Sequence, residues 1–401
     1  MIMNAMLESF HQPKSAKINK LKTLYRAIQK NGPIKAETLM LQTNTTHATC
    51  ARLLDELQKN NLVSVKSSTV STGGRKPNLY QITPDAAYLI GIEVTALYST
   101  ISLLDLHLSI KQQAKIKTAH FTSIYDTLDF IITETKKLVT TANLSFTSII
   151  GTGLSIDDYF DSFDHKKNDL TTEIKTLEAY IEAQLPSKVT IGSGVNFAAL
   201  AEYRLNYGAS SRRFLFSTSD MELRSCTLTH GGTPLSSNGM SFTFGHTIID
   251  SQGPVCSCGA KGCLRTFSSL PAIKAAIIQR VNAGETSQLS EVVSSIEEID
   301  FFDILSASEN GDTLCKNVLE EAAYYYGIAL SNQIIVYQPD TVVCGGTLIP
   351  KSSFFEVVQR TIAERLAPFS GISTNVYPAK DSYDIVSQGA GGIVLEKLLR
   401  S

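Results

Sequence analysis

Four residues in the second half of the chain have the types and spacing for metal binding. His246, Cys256, Cys258 and Cys263 follow the order H-x9-C-x-C-x4-C, so four ligands fall within 18 residues. Zn²⁺ prefers a tetrahedral shell of nitrogen and sulfur donors, and a closed Cys₃His shell leaves no open position for a reacting water. The pattern therefore predicts a structural zinc rather than a catalytic one. Gly253, Gly259 and Gly262 lie among the ligands, where a chain must turn tightly if ligands so close in sequence are to converge on one ion. The alternative, a cluster of reduced loop cysteines, rarely produces this combination without a metal.

The composition frames that centre. A chain of 401 residues is too long for one core and predicts two or three domains, and 43% hydrophobic with 18% charged residues is ordinary for a water-soluble globular protein. No apolar run approaches the roughly 20 residues needed to span a bilayer, which argues against membrane insertion. The first residues, MIMNAMLESFHQPK, lack a signal-peptide core. Seven cysteines, three of them clustered, argue for a reducing cytoplasm rather than a disulfide framework. Cys50, Cys226, Cys315 and Cys344 read as small buried hydrophobes. Charge is unevenly placed: residues 1–82 hold 12 Lys and Arg against 4 Asp and Glu, in a chain of net charge -2. A basic head on an acidic body points to a polyanion partner for the head alone.

Within that head, Leu21, Leu24, Tyr25 and Ile28 make a helical stripe that stops at Asn31-Gly32-Pro33. A short helix from about Lys35 to Leu41 follows. After Gln42-Thr43-Asn44-Thr45, a third helix is expected from a Thr46 N-cap to about Asn60, burying Cys50, Leu53, Leu54 and Leu57. Two helices separated by so short a turn form a helix-turn-helix. Strands at 62–65 and 78–82 around Thr72-Gly73-Gly74-Arg75-Lys76-Pro77 complete a winged helix-turn-helix over residues 1–83. Double-stranded DNA is the expected partner. Thr46, His47, Ala48, Thr49 and Arg52 would enter the major groove, and Arg75 and Lys76 on the wing would meet phosphates or a narrow minor groove.

Residues 84–401 read as α/β. Apolar strands at 88–94, 148–154 and 187–191 alternate with helices at 125–138, 197–207, 313–337 and 391–399, which implies a parallel or mixed sheet covered on both faces. No internal repeat is strong enough to use. Two stretches of this sequence resemble the ROK family (repressor, open reading frame, kinase). Gly245-His246 with Cys256-Ser257-Cys258-Gly259-Ala260-Lys261-Gly262-Cys263-Leu264 fits the family's zinc segment, and Gly73-Gly74-Arg75-Lys76-Pro77 fits the wing of its repressors. The resemblance implies a two-lobed body of the actin and hexokinase (ribonuclease H-like) type, with a cleft between lobes, a lobe boundary near residue 195, and a C-terminal helix returning to the first lobe.

The family's kinase motifs should fall at further positions in the body. The first phosphate loop, D-x-G-G-T in the kinases, lands on Glu93-Val94-Thr95-Ala96-Leu97; the catalytic aspartate lands on Gly194; the second phosphate loop lies within residues 217–223, which contain no glycine. Gly345-Gly346 survives. A phosphoryl-transfer site needs glycine-rich turns for the phosphates and a carboxylate to accept the proton of the attacking hydroxyl, so the resemblance implies a body that is no longer a kinase. The hexose-binding glutamates become Thr243 and Arg265, while Asn196 and Asn238 remain as ligand-binding candidates. The expectation is a cytoplasmic, DNA-binding repressor, a homodimer or dimer of dimers, answering to a sugar-related effector or a protein partner. An ATP-dependent sugar kinase with an added head is the competing reading.

Overall fold

The computed structural model describes residues 5–10, 15–67, 78–95, 98–118, 123–157, 159, 169–208, 211–229, 231–235, 241–350, 352–380 and 384–399. The chain divides into two compact units: Met1–Ala209 with Asp384–Ser401, and Ser210–Tyr383. The division thus falls after Ala209 rather than near residue 195.

The first unit opens with the head. Helices α1 (Ala5–Ser9), α2 (Ala16–Asn31), α3 (Ala36–Thr43) and α4 (His47–Lys59) precede strands β2 (Val63–Ser67) and β3 (Asn78–Ile82). The apolar stripes do what their spacing predicts: Leu21, Leu24, Tyr25 and Ile28 of α2 and Cys50, Leu53, Leu54 and Leu57 of α4 are buried against each other. Each such leucine contributes roughly 2 kcal/mol by leaving water. Two elements lie outside the sequence pattern. A two-residue strand, β1 (Ile34–Lys35), pairs with β3 at Ile34 and Tyr80, making a three-stranded sheet of order β1-β3-β2. Helix α1 brings Met6, Leu7 and, just past its end, Phe10 onto the head, with the Phe10 ring edge-on to Tyr25 at 6.2 Å.

The rest of this unit is a five-stranded mixed sheet of order β6-β5-β4-β7-β8, from β4 (Tyr88–Val94), β5 (Tyr98–Asp105), β6 (Ile110–Lys117), β7 (Ile149–Ser155) and β8 (Lys188–Ile191). Helices α5 (Ile124–Thr141) and α6 (Leu170–Glu182) pack Leu128, Ile131, Ile132, Leu177 and Ile181 on one face. The other face receives the C-terminal helix, on which α7 (Gly194–Glu202), running on into a π turn at Tyr203–Tyr207, is packed; the C-terminal helix begins at Ile385, not Gly391, and ends at Leu399. Gly389, Gly391 and Gly392, poor helix formers, hide its first turns in the sequence. They are there because of close approach. A Cβ on Gly91 would fall on the backbone of Ser387, one on Gly153 on that of Ala390, and one on Gly389 on that of Phe197.

The second unit repeats the sheet plan. Strands β9 (Phe214–Ser219), β10 (Leu223–Thr229), β11 (Thr233–Pro234), β12 (Thr341–Gly345) and β13 (Asn375–Pro378) are ordered β11-β10-β9-β12-β13. In both sheets the first three strands meander antiparallel and the fourth and fifth add in parallel. Helices α8 (Leu270–Asn282), α9 (Phe301–Glu309), α10 (Thr313–Tyr337) and α11 (Ser352–Leu366) cover the sheet, and the C-terminal helix is therefore α12. Tyr326 of α10 is fully buried and shares a 2.6 Å hydrogen bond with the Ser217 hydroxyl of β9. Among the described residues, no helix is long and apolar enough to cross a membrane.

Candidate metal centre and nucleic-acid interface

His246, Cys256, Cys258 and Cys263 converge, with their four ligand atoms all within 4.8 Å of one another. The Cys256 Sγ lies 3.5 Å from His246 Nδ1, and the Cys258 and Cys263 Sγ atoms are 3.6 Å apart. Thiolates at roughly 2.3 Å and an imidazole at roughly 2.1 Å from a tetrahedral ion would stand about 3.6–3.8 Å from each other. These two pairs already stand near that spacing, and the cluster fits a metal ion of that size once its wider pairs, up to 4.8 Å, draw in. Backbone hydrogen bonds shape it: the Cys256 N–H donates to Ala260 at 2.8 Å, the Gly259 N–H to Cys256 at 2.9 Å, and the Ile249 N–H to Gly262 at 2.8 Å. Gly259 and Gly262 have φ of +90° and +72°, the left-handed region that favours glycine, and a Cβ on Gly262 would also strike the Asp250 carbonyl.

The thiols influence one another. Burial opposes ionisation of Cys256, but hydrogen bonds from the Cys258 backbone and from the Cys258 and Cys263 thiols outweigh it and bring its pKa below the ordinary value. Burial, with hydrogen bonds to the Cys258 and Cys256 thiols, pushes Cys263 up to about 12. Cys226, Cys315 and Cys344, by contrast, are buried away from the cluster, and burial raises each to about 12, as expected of inert core thiols. The segment docks on α10: Phe267 stacks on Tyr325 at 4.3 Å, Phe244 meets Tyr326 edge-on, and the Ser268 hydroxyl donates to the Ala322 carbonyl at 2.7 Å.

In the head, α3 and α4 are separated by Asn44, Thr45 and Thr46, a three-residue turn that Asn44 enters in the left-handed conformation. Thr46 caps α4 by accepting the Thr49 N–H at 3.4 Å. Thr46, His47, Ala48 and Arg52 are exposed and Thr49 is half-buried, so the start of α4 presents one polar face to solvent. Arg75, Lys76 and Asn238 lie outside the described residues, as do Ala96 and Leu97 of the first phosphate-loop position.

At the kinase-motif positions, carboxylates stand where the sequence offers no warning of them. The Gly194 N–H donates to Asp157 Oδ2 at 2.9 Å and the Ser193 hydroxyl to the same oxygen at 3.4 Å, and a Cβ on residue 194 would sit 3.1 Å from that oxygen. Asn196 is half-buried one turn into α7. In the second unit, Asp220 accepts both the backbone N–H of Thr347, at 3.0 Å, and its hydroxyl. The glycine turn at Gly345-Gly346 thus closes on an internal negative charge. Arg265 is paired with Glu222 and also donates to the Ser257 hydroxyl at 3.0 Å. Thr243, at the other former glutamate position, is exposed.

A helix-turn-helix head, two α/β units built on one strand order and a Cys₃His cluster between β10 and α8 describe a class in which regulators and sugar kinases share one body. The chain belongs to the ROK family, whose profile matches residues 89–397. It is similar along its length to the xylose repressor of Bacillus spizizenii, at 23% identity over 391 residues, covering 96% of each chain. A solved ROK family transcriptional regulator, described as a homolog of the E. coli MLC protein, shares the fold with a TM-score of 0.74 at 21% identity, over 96% of this chain and 100% of that one. The glucokinase of Halalkalibacterium halodurans is 26% identical over 229 residues, covering only 56% of this chain and 67% of the enzyme.

Proposed function

We propose that this chain is a DNA-binding transcriptional repressor of the ROK family, with a body that senses and assembles rather than catalyses. The observation that carries the reading is the exposed face of Thr46, His47, Ala48 and Arg52 at the start of the second helix of a helix-turn-helix. Those side chains would read base edges, while Arg75 and Lys76 would hold the backbone. A dimer with two-fold symmetry would read a pseudo-palindrome. The Cys₃His cluster would hold one Zn²⁺ in a closed shell, so the ion's chemistry is structural: it pins residues 246–263 against α10.

Two features support a non-catalytic body. A glycine at residue 194 cannot accept the proton of an attacking hydroxyl, and the Asp220 carboxylate at Thr347 would repel a polyphosphate rather than cradle it. The xylose repressors among its relatives make a pentose the first effector to try, with Asn196 and Asn238 as candidate contacts. The test is selection of bound duplexes from a random pool with and without xylose and a panel of sugars and sugar phosphates, run beside an ATP-dependent phosphorylation assay on the same sugars. Enrichment of a two-fold symmetric sequence, released by one sugar, with no phosphorylated product, is the expected result. Phosphorylation of any hexose that disappears in Asp157→Asn would overturn it.

A further inference from the structure

The head is fastened to the rest of its unit by more than apolar packing. Glu396 of α12 is 3% exposed, yet its carboxylate serves two arginines: Arg26 Nη2 of α2 lies 3.3 Å from Oε2, and Arg204 pairs with Oε1. Arg204 belongs to the π turn that follows α7, an irregularity that helices tend to carry at functional positions. A buried carboxylate is tolerated only when charges and hydrogen bonds satisfy it, so three segments distant in sequence hold one another in place here. Leu395, Leu398 and Leu399 beside it share a core with Leu21, Leu24, Tyr25 and Ile28 of α2. Apolar faces resist separation but permit rotation. A charge-assisted pair fixes the angle.

The other half of α12 has no such freedom, because Gly91, Gly153 and Gly389 bring it backbone to backbone with β4, β7 and α7. In the head, α2 packs on both α3 and α4. We propose that Glu396 is a positioning residue for DNA recognition: it sets the angle at which α2, and through it α4, is presented, and it ties that angle to the end of α7. The start of α7 carries Ser193 and Asn196, so any ligand that shifts this helix changes how Arg204 and Arg26 share the carboxylate. The inference rests on reading α4 as the DNA-facing helix, and its test separates the two.

Hydrogen exchange across residues 16–59 and affinity for a selected two-half-site duplex are measured for the full-length protein and for Arg204→Met, Arg204→Lys, Arg26→Met and Glu396→Gln. Arg204→Met lies outside the head, yet it is expected to speed exchange in α2 about tenfold, leave β9 of the second unit unchanged, and weaken duplex binding by a similar factor. Arg204→Lys, which keeps the charge, restores much of both, and Arg26→Met adds nothing in the Glu396→Gln background, the non-additivity of a shared partner. Unchanged exchange in α2 for Arg204→Met, or simply additive effects, overturns the proposal. Arg26 is the most exposed member, so Arg26→Met supplies a folded variant if Glu396→Gln aggregates. Exchange reports the tether whether or not the wild type binds any duplex; failure to bind DNA counts against the function alone.

Discussion

Cys263→Ser protein is expected to lose its metal and with it the fold of the second unit around residues 246–268. The wild type should carry one zinc per chain, and the variant only a small fraction of that. The cluster organises a segment with almost no regular secondary structure: two isolated bridges, Ile248 with Cys263 and Val255 with Lys261, are all the sheet it has among the described residues. Structural zinc supplies roughly 10 kcal/mol or more in isolated peptides, and here part of that holds Phe244 and Phe267 against α10. Aggregation is therefore expected rather than a small shift in melting. Metal affinity should also fall as pH falls, because thiolates and a neutral imidazole are needed for binding and each proton competes with the ion. Cys226→Ser is the control, a buried thiol elsewhere in the unit, costing about 1–3 kcal/mol for an unsatisfied hydroxyl. Elemental analysis with light scattering reads both. Equal zinc in the two variants would remove the cluster from the account.

Gly389→Val should be nearly as damaging to the first unit. Its side chain would be driven into the backbone of Phe197, where neither helix can yield without displacing Gly91 and Gly153 from the same α12. Overpacking costs on the order of 3 kcal/mol when side chains can move, and more when only backbone is available. The head shares the core of α12, so DNA binding should be lost together with thermal stability. Gly371→Ala, with nothing within 4 Å of its new Cβ, should stay within about 0.5 kcal/mol of wild type. Thermal unfolding of the two variants decides it, and equal melting temperatures would mean that the close approach carries no weight.

The parts legible in the sequence are those written locally. Four metal ligands within 18 residues announce themselves, and so do the stripes of α2 and α4, since a helix repeats its buried face every three or four residues. What was not legible depends on partners far along the chain. Asp157 is 37 residues from Gly194, and Asp220 is 127 from Thr347; nothing in their neighbours marks either carboxylate. The glycines at the start of α12 hide its first turns because their reason lies far off in the chain, at Phe197 of α7 for Gly389 and at Leu104 and Leu108 for Gly391 and Gly392. The helix expected over 197–207 instead begins at Gly194 and turns π at Tyr203, with Arg204 drawn toward Glu396. The shared strand order of the two units is equally invisible, because sheet topology needs only alternating burial and turns, which many sequences supply.

The account stands or falls on the head gripping a duplex. The direct measurement is binding of the intact protein to selected duplex DNA over a range of salt, beside Arg52→Ala and the Arg75→Ala, Lys76→Ala double variant. The account predicts binding that weakens steeply with salt, loss of sequence preference in Arg52→Ala, and uniformly weaker binding with a shallower salt slope in the wing variant. A wild-type protein that ignores duplexes of every sequence at low ionic strength would contradict it.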